Sequence, residues 1–360
     1  AGFSSSEKLT LTGSINQANA FGSGNNIGIN VNTSRVFRTI SVSHTNPYFT
    51  EDGVSRTFDV FYRTSRPPIF LTGIDYKIVT RGGSVNFGVP FTEFDRVFLG
   101  IGYEDTTVDT FQDAAGNNIS PIRYRQFVSQ TNGSSCLIDA TNSCGVGSAQ
   151  TNSVPLTAAW QRDERDSALI PTAGRYRRAS LEVSPAGGSR YYRTSYQDQY
   201  FWPIGRNITL AVNGEVNYGN GLSGDPFPIF KNFYAGGIGS VRGFAAGTLN
   251  VSGTRVSSDN IFRLPIGGST RLIGNAELQF PFPGTGVDRS LRWFTFLDAG
   301  QVWNPSEGEH VRLSDLRYST GIGISWISPV GPLKLSLAYP INDKPGDYVQ
   351  RFQFQLGTGF

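Results

Sequence analysis

Apolar and polar residues alternate along most of this chain with a period of two. In RLIGNAELQF (271–280), Leu272, Gly274, Ala276, Leu278 and Phe280 share one face, while Arg271, Asn275, Glu277 and Gln279 share the other. RFQFQLGTGF (351–360) sets Phe352, Phe354, Leu356, Thr358 and Phe360 against Arg351, Gln353, Gln355 and Gly357. NITLAVNGEVNY (207–218) does the same with Ile208, Leu210, Val212, Val216 and Tyr218. The rhythm recurs in KLTLTGSI, NIGINVN, DRVFLGIGYE, RRASLEV, LRYSTGIGISW and PLKLSLAY. Successive side chains of a strand point to opposite faces, so these segments are strands with one apolar and one polar side. No stretch carries a sustained 3.6-residue stripe with caps, and almost no helix is expected.

The connections are of two kinds. Short ones carry Pro, Gly and aromatics: NAFGSG (19–24), YFTEDG (48–53), PFTEFD (90–95), IPTAGR (170–175), WPIGR (202–206), PFPGTGVDRS (281–290) and SPVGP (328–332). Variable polar loops lie between them, the longest around 110–152 and 219–270. Seven short turns alternating with eight loops define sixteen strands. Strands of ~9–11 residues suit a tilted crossing of a bilayer. Aromatics gather at strand ends, at Tyr48-Phe49, Tyr200-Phe201-Trp202, Phe280, Phe282, Trp303, Trp326, Tyr339 and Phe360, as interfacial girdles do. The pattern predicts an all-β, 16-stranded antiparallel transmembrane β-barrel of the bacterial outer membrane, lipid on its apolar face and a wet lumen inside. The first strand has only AGFSS to draw on, so the expectation is a single barrel domain over 1–360, cut within its first strand.

Composition narrows the alternatives. Aromatics reach 13% and charged residues only 16%, which excludes a disordered chain. A helical membrane protein needs ~20 consecutive apolar residues, and even Trp293-Phe294-Thr295-Phe296-Leu297 stops at Asp298. The net charge of +3, with basic residues scattered along the sequence, gives no reason for a nucleic-acid partner. Arg outnumbers Lys 26 to 5, in keeping with hydrogen-bonded, partly desolvated sites. Met is absent, as expected of a processed or trimmed piece. Cys136 and Cys144 lie in the loop-like SSCLIDATNSCG, and the chain's two histidines, His44 and His310, are remote from them. A local disulfide in an oxidising compartment is expected there rather than a metal site.

Enzymatic motifs fail. GNGLSG (219–224) matches a dinucleotide fingerprint, but DPFP follows and no helix can start. There is no G-x-S-x-G, no H-E-x-x-H and no His beside a plausible nucleophile, so neither catalysis nor a cofactor is expected. The loop segment FYAGGIGSVRGFAAGT (233–248) leaves two readings open. It is a flexible Gly-rich surface loop, or it is a tip that packs, with Arg242 between Val241, Gly243 and Phe244. A packed guanidinium requires carboxylates. Strand parity turns Glu277 and Asp298 inward, where a loop folded into the lumen would meet them.

VRGF in its Gly-rich loop, NPYFTEDGVS (46–55), NAFGSG and the terminal QFQLGTGF together resemble the barrel of the BamA family, over essentially the whole chain and in the family's order. That resemblance implies insertion of other β-barrels into the outer membrane. It implies that Arg242 bridges to Glu277 and Asp298 from loop six. It also implies a lateral seam between the first and last strands, here Gly2, Phe3 and Ser4 against Phe354, Gln355, Leu356, Gly357 and Phe360. Gly357 and Gly359 would weaken packing at that seam, or serve ordinary barrel curvature. The implied partners are unfolded outer-membrane proteins, the bilayer, and accessory lipoproteins acting through periplasmic POTRA repeats, which are expected to be absent from these 360 residues. A two-partner secretion transporter or TamA-like factor shares the barrel plan. A passive porin is the alternative from another class, and the loop expected to occupy the lumen counts against it.

Overall fold

A computed structural model of the chain describes all residues except 6, 68–73, 135, 137–143, 206, 250–265, 285–289, 306–307, 329–330 and 358–360. Sixteen antiparallel strands close into one barrel, as the alternation requires. They are β1 (Gly2–Ser4), β2 (Lys8–Gln17), β3 (Asn26–Thr33), β4 (Phe37–Asn46), β5 (Ser55–Ser65), β6 (Tyr76–Pro90), β7 (Asp95–Thr110) and β8, in two pieces (Ser148–Ser153 and Leu156–Asp163). There follow β9 (Gly174–Ser184), β10 (Tyr191–Pro203), β11 (Thr209–Gly221), β12 (Thr270–Pro281), β13 (Leu291–Trp303), β14 (Arg317–Ser328), β15 (Gly331–Pro340) and β16 (Phe352–Leu356). Each strand pairs with its sequence neighbour, and β1 pairs with β16 to close the ring. β8 is split because Pro155 has no N–H to give. Its register against β7 nevertheless continues unchanged from Ser153↔Glu104 to Leu156↔Ile101.

The outer wall is apolar. Ile40, Val42, Phe58, Val60, Tyr62, Leu99, Ile101, Val212, Val216 and Leu297 are exposed on it, an unfavourable surface in water and the expected one in lipid. Tyr48, Phe49, Tyr200, Trp202, Trp326 and Tyr339 are exposed at the strand ends. Trp303 departs from this girdle: it is fully buried at the long-loop end of β13. Phe360 lies outside the described residues.

The expected near-absence of helix holds with one addition, and the expected wet inner wall needs correction. A ten-residue helix, α1 (Ile122–Thr131), sits in the loop between β7 and β8. Its sequence carries little amphipathic signal because tertiary contacts hold it: Tyr124 and Val128 are buried against Tyr76, Val108 and Ile229. The inner wall is also not uniformly polar. Ile273, Phe294, Phe296 and Val302 are all buried inside, where a loop covers them.

Candidate functional site

The long loop between β11 and β12 folds back into the lumen. Its described ends are joined by Phe233 and Gly268, which exchange backbone hydrogen bonds of 2.8 and 3.0 Å. Within it, the Gly237 N–H donates to the Val241 and Phe244 carbonyls at 3.1 and 2.9 Å, coiling residues 237–244 into a tight tip. Gly243 adopts φ +88, and a Cβ there would stand 3.2 Å from Ala338 Cβ and 3.3 Å from Pro340 Cγ. Only glycine satisfies both the conformation and the space. Gly300 on β13 plays the complementary part, since a Cβ on it would stand 2.6 Å from Val241 Cγ2.

The tip aims Arg242 at the wall. Its Nε donates to Asp298 Oδ2 at 2.7 Å and its Nη2 to Asp298 Oδ1 at 2.8 Å, a two-pronged pair, and its backbone N–H reaches Oδ2 at 3.0 Å. Nη1 donates to Glu277 Oε2 at 2.8 Å. The guanidinium lies over the Phe296 ring, with Cζ 3.6 Å from the centroid. Arg242 is 3% exposed and Asp298 0%. Burial alone would lower the guanidinium's pKa, but the two carboxylates outweigh it and hold the pKa above its ordinary value. The structure therefore brings together Arg242, Glu277 and Asp298, with Val241, Gly243 and Phe244 buried alongside. Around them, Asn275 Nδ2 donates to Asp298 Oδ1 at 2.9 Å and to the Ser240 carbonyl at 2.7 Å, and Lys334 Nζ reaches Glu277 Oε2 at 3.3 Å.

At the closure, Phe3 pairs with Leu356 and Ser4 with Gln355. The Phe3 and Phe354 rings stack at 5.6 Å. β16 itself offers only five residues. Upstream, Val349 and Gln350 pair with Gly243 and Phe244 of the lumen loop. Downstream, Gly357 turns out of strand geometry at φ +88. A Cβ on Gly2 would stand 2.9 Å from the Leu356 carbonyl oxygen, so the strands approach closely there. Gly359 and Phe360 lie outside the described residues.

A family model for the Omp85 superfamily domain matches residues 19–360. The chain belongs to the Omp85 superfamily. Outer membrane protein assembly factor BamA of Neisseria meningitidis serogroup B is 35% identical across 100% of this chain, which spans 46% of that protein. BamA of Nitratidesulfovibrio vulgaris is 24% identical across 100% of the chain, which spans 41% of it. The chain thus covers about half the length of these relatives. Among solved structures, BamA from Haemophilus ducreyi lacking POTRA domains 1–3 superposes with TM-score 0.84 at 26% identity, over 99% of this chain and 68% of that one. CdiB from Acinetobacter baumannii, with TM-score 0.57 at 12% identity, shares the fold alone. The resemblance read from the motifs is thus shown, and this Omp85 barrel is an outer-membrane protein.

Other contacts of the lumen loop were not legible in the sequence. Lys231 Nζ bonds Glu104 of β7 at 2.7 Å and Glu182 of β9 at 3.1 Å. Burial would lower its pKa, but those carboxylates hold it above the ordinary lysine range. The Tyr234 and Tyr124 hydroxyls meet at 3.2 Å, and Tyr124 stacks on Tyr76 at 4.1 Å. The loop is therefore clamped at two separate parts of the wall, to β12 and β13 through Arg242 and to β7 and β9 through Lys231. Cys136 and Cys144 are joined as a disulfide in the loop between β7 and β8. Among the described residues no group of three or more His, Cys, Asp or Glu is placed to hold a metal ion.

Proposed function

We propose that this barrel folds and inserts other outer-membrane β-barrel proteins through the seam between β1 and β16. The observation that carries the reading is the division of the last strand. Val349 and Gln350, just upstream of it, pair with the lumen loop, Gly357 leaves strand geometry, and among the described residues Gln355 and Leu356 are the ones that pair with β1. Unpaired backbone groups have no water to turn to in lipid, so an open edge is costly in proportion to its length. A short edge lowers that cost, and the incoming strand satisfies the exposed groups as it pairs. The work is strand exchange without covalent chemistry or a cofactor. Arg242, Glu277 and Asp298 hold the loop that shares β16, so the lock inside and the seam at the side act on one element. The 35% identity to BamA supports the same reading. Unfolded outer-membrane proteins are the substrates, and accessory lipoproteins acting through POTRA domains belong to the same proposal.

The test uses the full-length protein. Ser4 and Gln355 are register partners, so Ser4→Cys with Gln355→Cys places a crosslink across the seam. Oxidation in cells that depend on this protein should halt barrel assembly, and reduction should restore it. Normal assembly with the crosslink fully formed would rule out lateral opening.

A further inference from the structure

Distant parts of the sequence bring four cations together on the outward face of β3–β6, at the long-loop end. The turn at 34–36 is tight: the Ser34 N–H donates to the Phe37 carbonyl at 2.7 Å, and the Phe37 N–H donates to Ser34 Oγ at 3.1 Å. It projects Arg35 and leads into Arg38. The Arg66 N–H donates to the Val36 carbonyl at 2.8 Å, fastening the end of β5 to this turn. Lys77 enters at the start of β6. With Tyr62 and Thr64 these four line a cleft of about 230 Å³.

Register fixes which way the cleft faces. Arg38, Thr64 and Val79 share one rung; Ile40, Tyr62 and Arg81 share the next; Val42 and Val60 follow. Ile40, Val42, Val60 and Tyr62 belong to the exposed apolar wall, 40–65% accessible. The cations therefore sit directly beyond the lipid-facing belt, at headgroup height, and not in the lumen. Three carboxylates lie near. Asp75 is 3.5 Å from Arg66, Asp105 is 3.6 Å from Arg81, and Asp109 stands opposite Lys77 but accepts a 2.7 Å bond from Ser148. Among the described residues Arg35, Arg38 and Lys77 have no ion-pair partner within 4.0 Å.

We propose that this cleft binds the phosphorylated headgroup of an outer-leaflet lipid, with its acyl chains lying along Ile40, Val42, Val60 and Tyr62. Guanidinium forks suit phosphate oxygens, and an ammonium beside them adds a point charge. Three cations without an ion-pair partner among the described residues match a headgroup of two phosphates better than a zwitterion. Lipid is the occupant because the exposed apolar wall of β4 and β5 begins directly below the charges.

The test reconstitutes the full chain in phosphatidylethanolamine nanodiscs containing a fraction of lipid A, a bis-phosphorylated glycolipid, and measures retained lipid by native mass spectrometry. Lipid A should be retained preferentially. The Arg35→Gln, Arg38→Gln, Lys77→Gln triple variant should weaken retention about a hundredfold, roughly fivefold per cation. Lys77→Gln alone should weaken it about fivefold if the triple variant does not fold. Arg312→Gln, exposed elsewhere in a loop, should leave it unchanged. Equal retention by wild type and Lys77→Gln, or equal loss in Arg312→Gln, would overturn the proposal. Inorganic pyrophosphate displacing lipid A at matched concentration would identify free phosphate as the ligand and also overturn it.

Discussion

The Gln353 side chain donates from Nε2 to the Phe244 carbonyl at 2.7 Å, joining the last strand of the barrel to the loop that fills its lumen. Gln353 is 1% exposed and lies on the inward face of β16, one residue before Phe354 at the seam. The tether and the closing ladder therefore share a strand of five residues. A neutral hydrogen bond contributes about 1 kcal/mol. Gln353→Ala should accelerate backbone hydrogen exchange in β16 roughly fivefold, with little change in β7. Unaltered exchange in β16 would show that the tether does not restrain the seam.

Arg242 and Asp298 make the more costly pair to break. Removing one partner of a buried ion pair typically costs ~3–5 kcal/mol, because the other charge stays buried without compensation. Arg242→Ala should lower barrel stability by about that amount in urea titrations followed by the gel shift of the unheated protein. Asp298→Asn should cost less, since the amide oxygen still accepts from the guanidinium. Arg242→Lys should not restore wild-type stability, because one ammonium cannot make the two-pronged contact. Arg242→Glu, facing two carboxylates, should also impair assembly. Wild-type stability together with full complementation by Arg242→Glu would sink the proposed role of the lumen lock.

What the sequence made legible follows from the stiffness of strands. Alternation is rigid enough that parity on β12 and β13 turned Glu277 and Asp298 inward, and the Arg242 tip meets them there. The same regularity yielded the strand count, since each short turn carries its own Gly, Pro or aromatic signature. Contacts that depend on how far a loop travels were invisible. Lys231 meets Glu104 across 127 positions, and nothing local marks either residue. Phe294 and Phe296 read as the inward half of a strand that should be wet, yet they form the apolar bed beneath Arg242. Gly321 leaves room for them: a Cβ there would stand 2.8 Å from Phe296 Cζ. The cationic cleft was hidden similarly, its four residues spread over two connections and the strands they join.

Lys231 secures the other limb of the loop. Its Nζ neutralises Glu104 and Glu182, and the Tyr191 hydroxyl donates to Glu182 at 2.7 Å. Lys231→Met leaves Glu104 without an ion-pair partner among the described residues, and Glu182 with Arg193 at 3.8 Å, and should cost a few kcal/mol. A loop clamped at two separate points should respond locally. Exchange should rise over residues 229–235 while 241–244 stay protected, and Arg242→Ala should give the reverse pattern. Protection lost across both segments in either variant would mean that the loop releases as one unit.

The disulfide between Cys136 and Cys144 stabilises a different layer. Arg125 on α1 donates from Nη1 to the Cys144 carbonyl at 2.6 Å and from Nε to the Ser120 carbonyl at 3.2 Å, so the helix and the cystine loop hold each other. Ile122 packs against both cysteines. Closing so short a loop is worth about 2.5 kcal/mol in the chain-entropy picture, and that stabilisation belongs to the loop because both cysteines lie between β7 and β8. Replacing both cysteines by serine should leave the barrel's gel shift and urea midpoint unchanged. It should speed proteolysis between residues 111 and 147 by a factor of roughly ten or more. A lowered barrel midpoint in this variant would show instead that the loop supports β7 and β8, and the helix contacts to Tyr76 and Val108 would be the route.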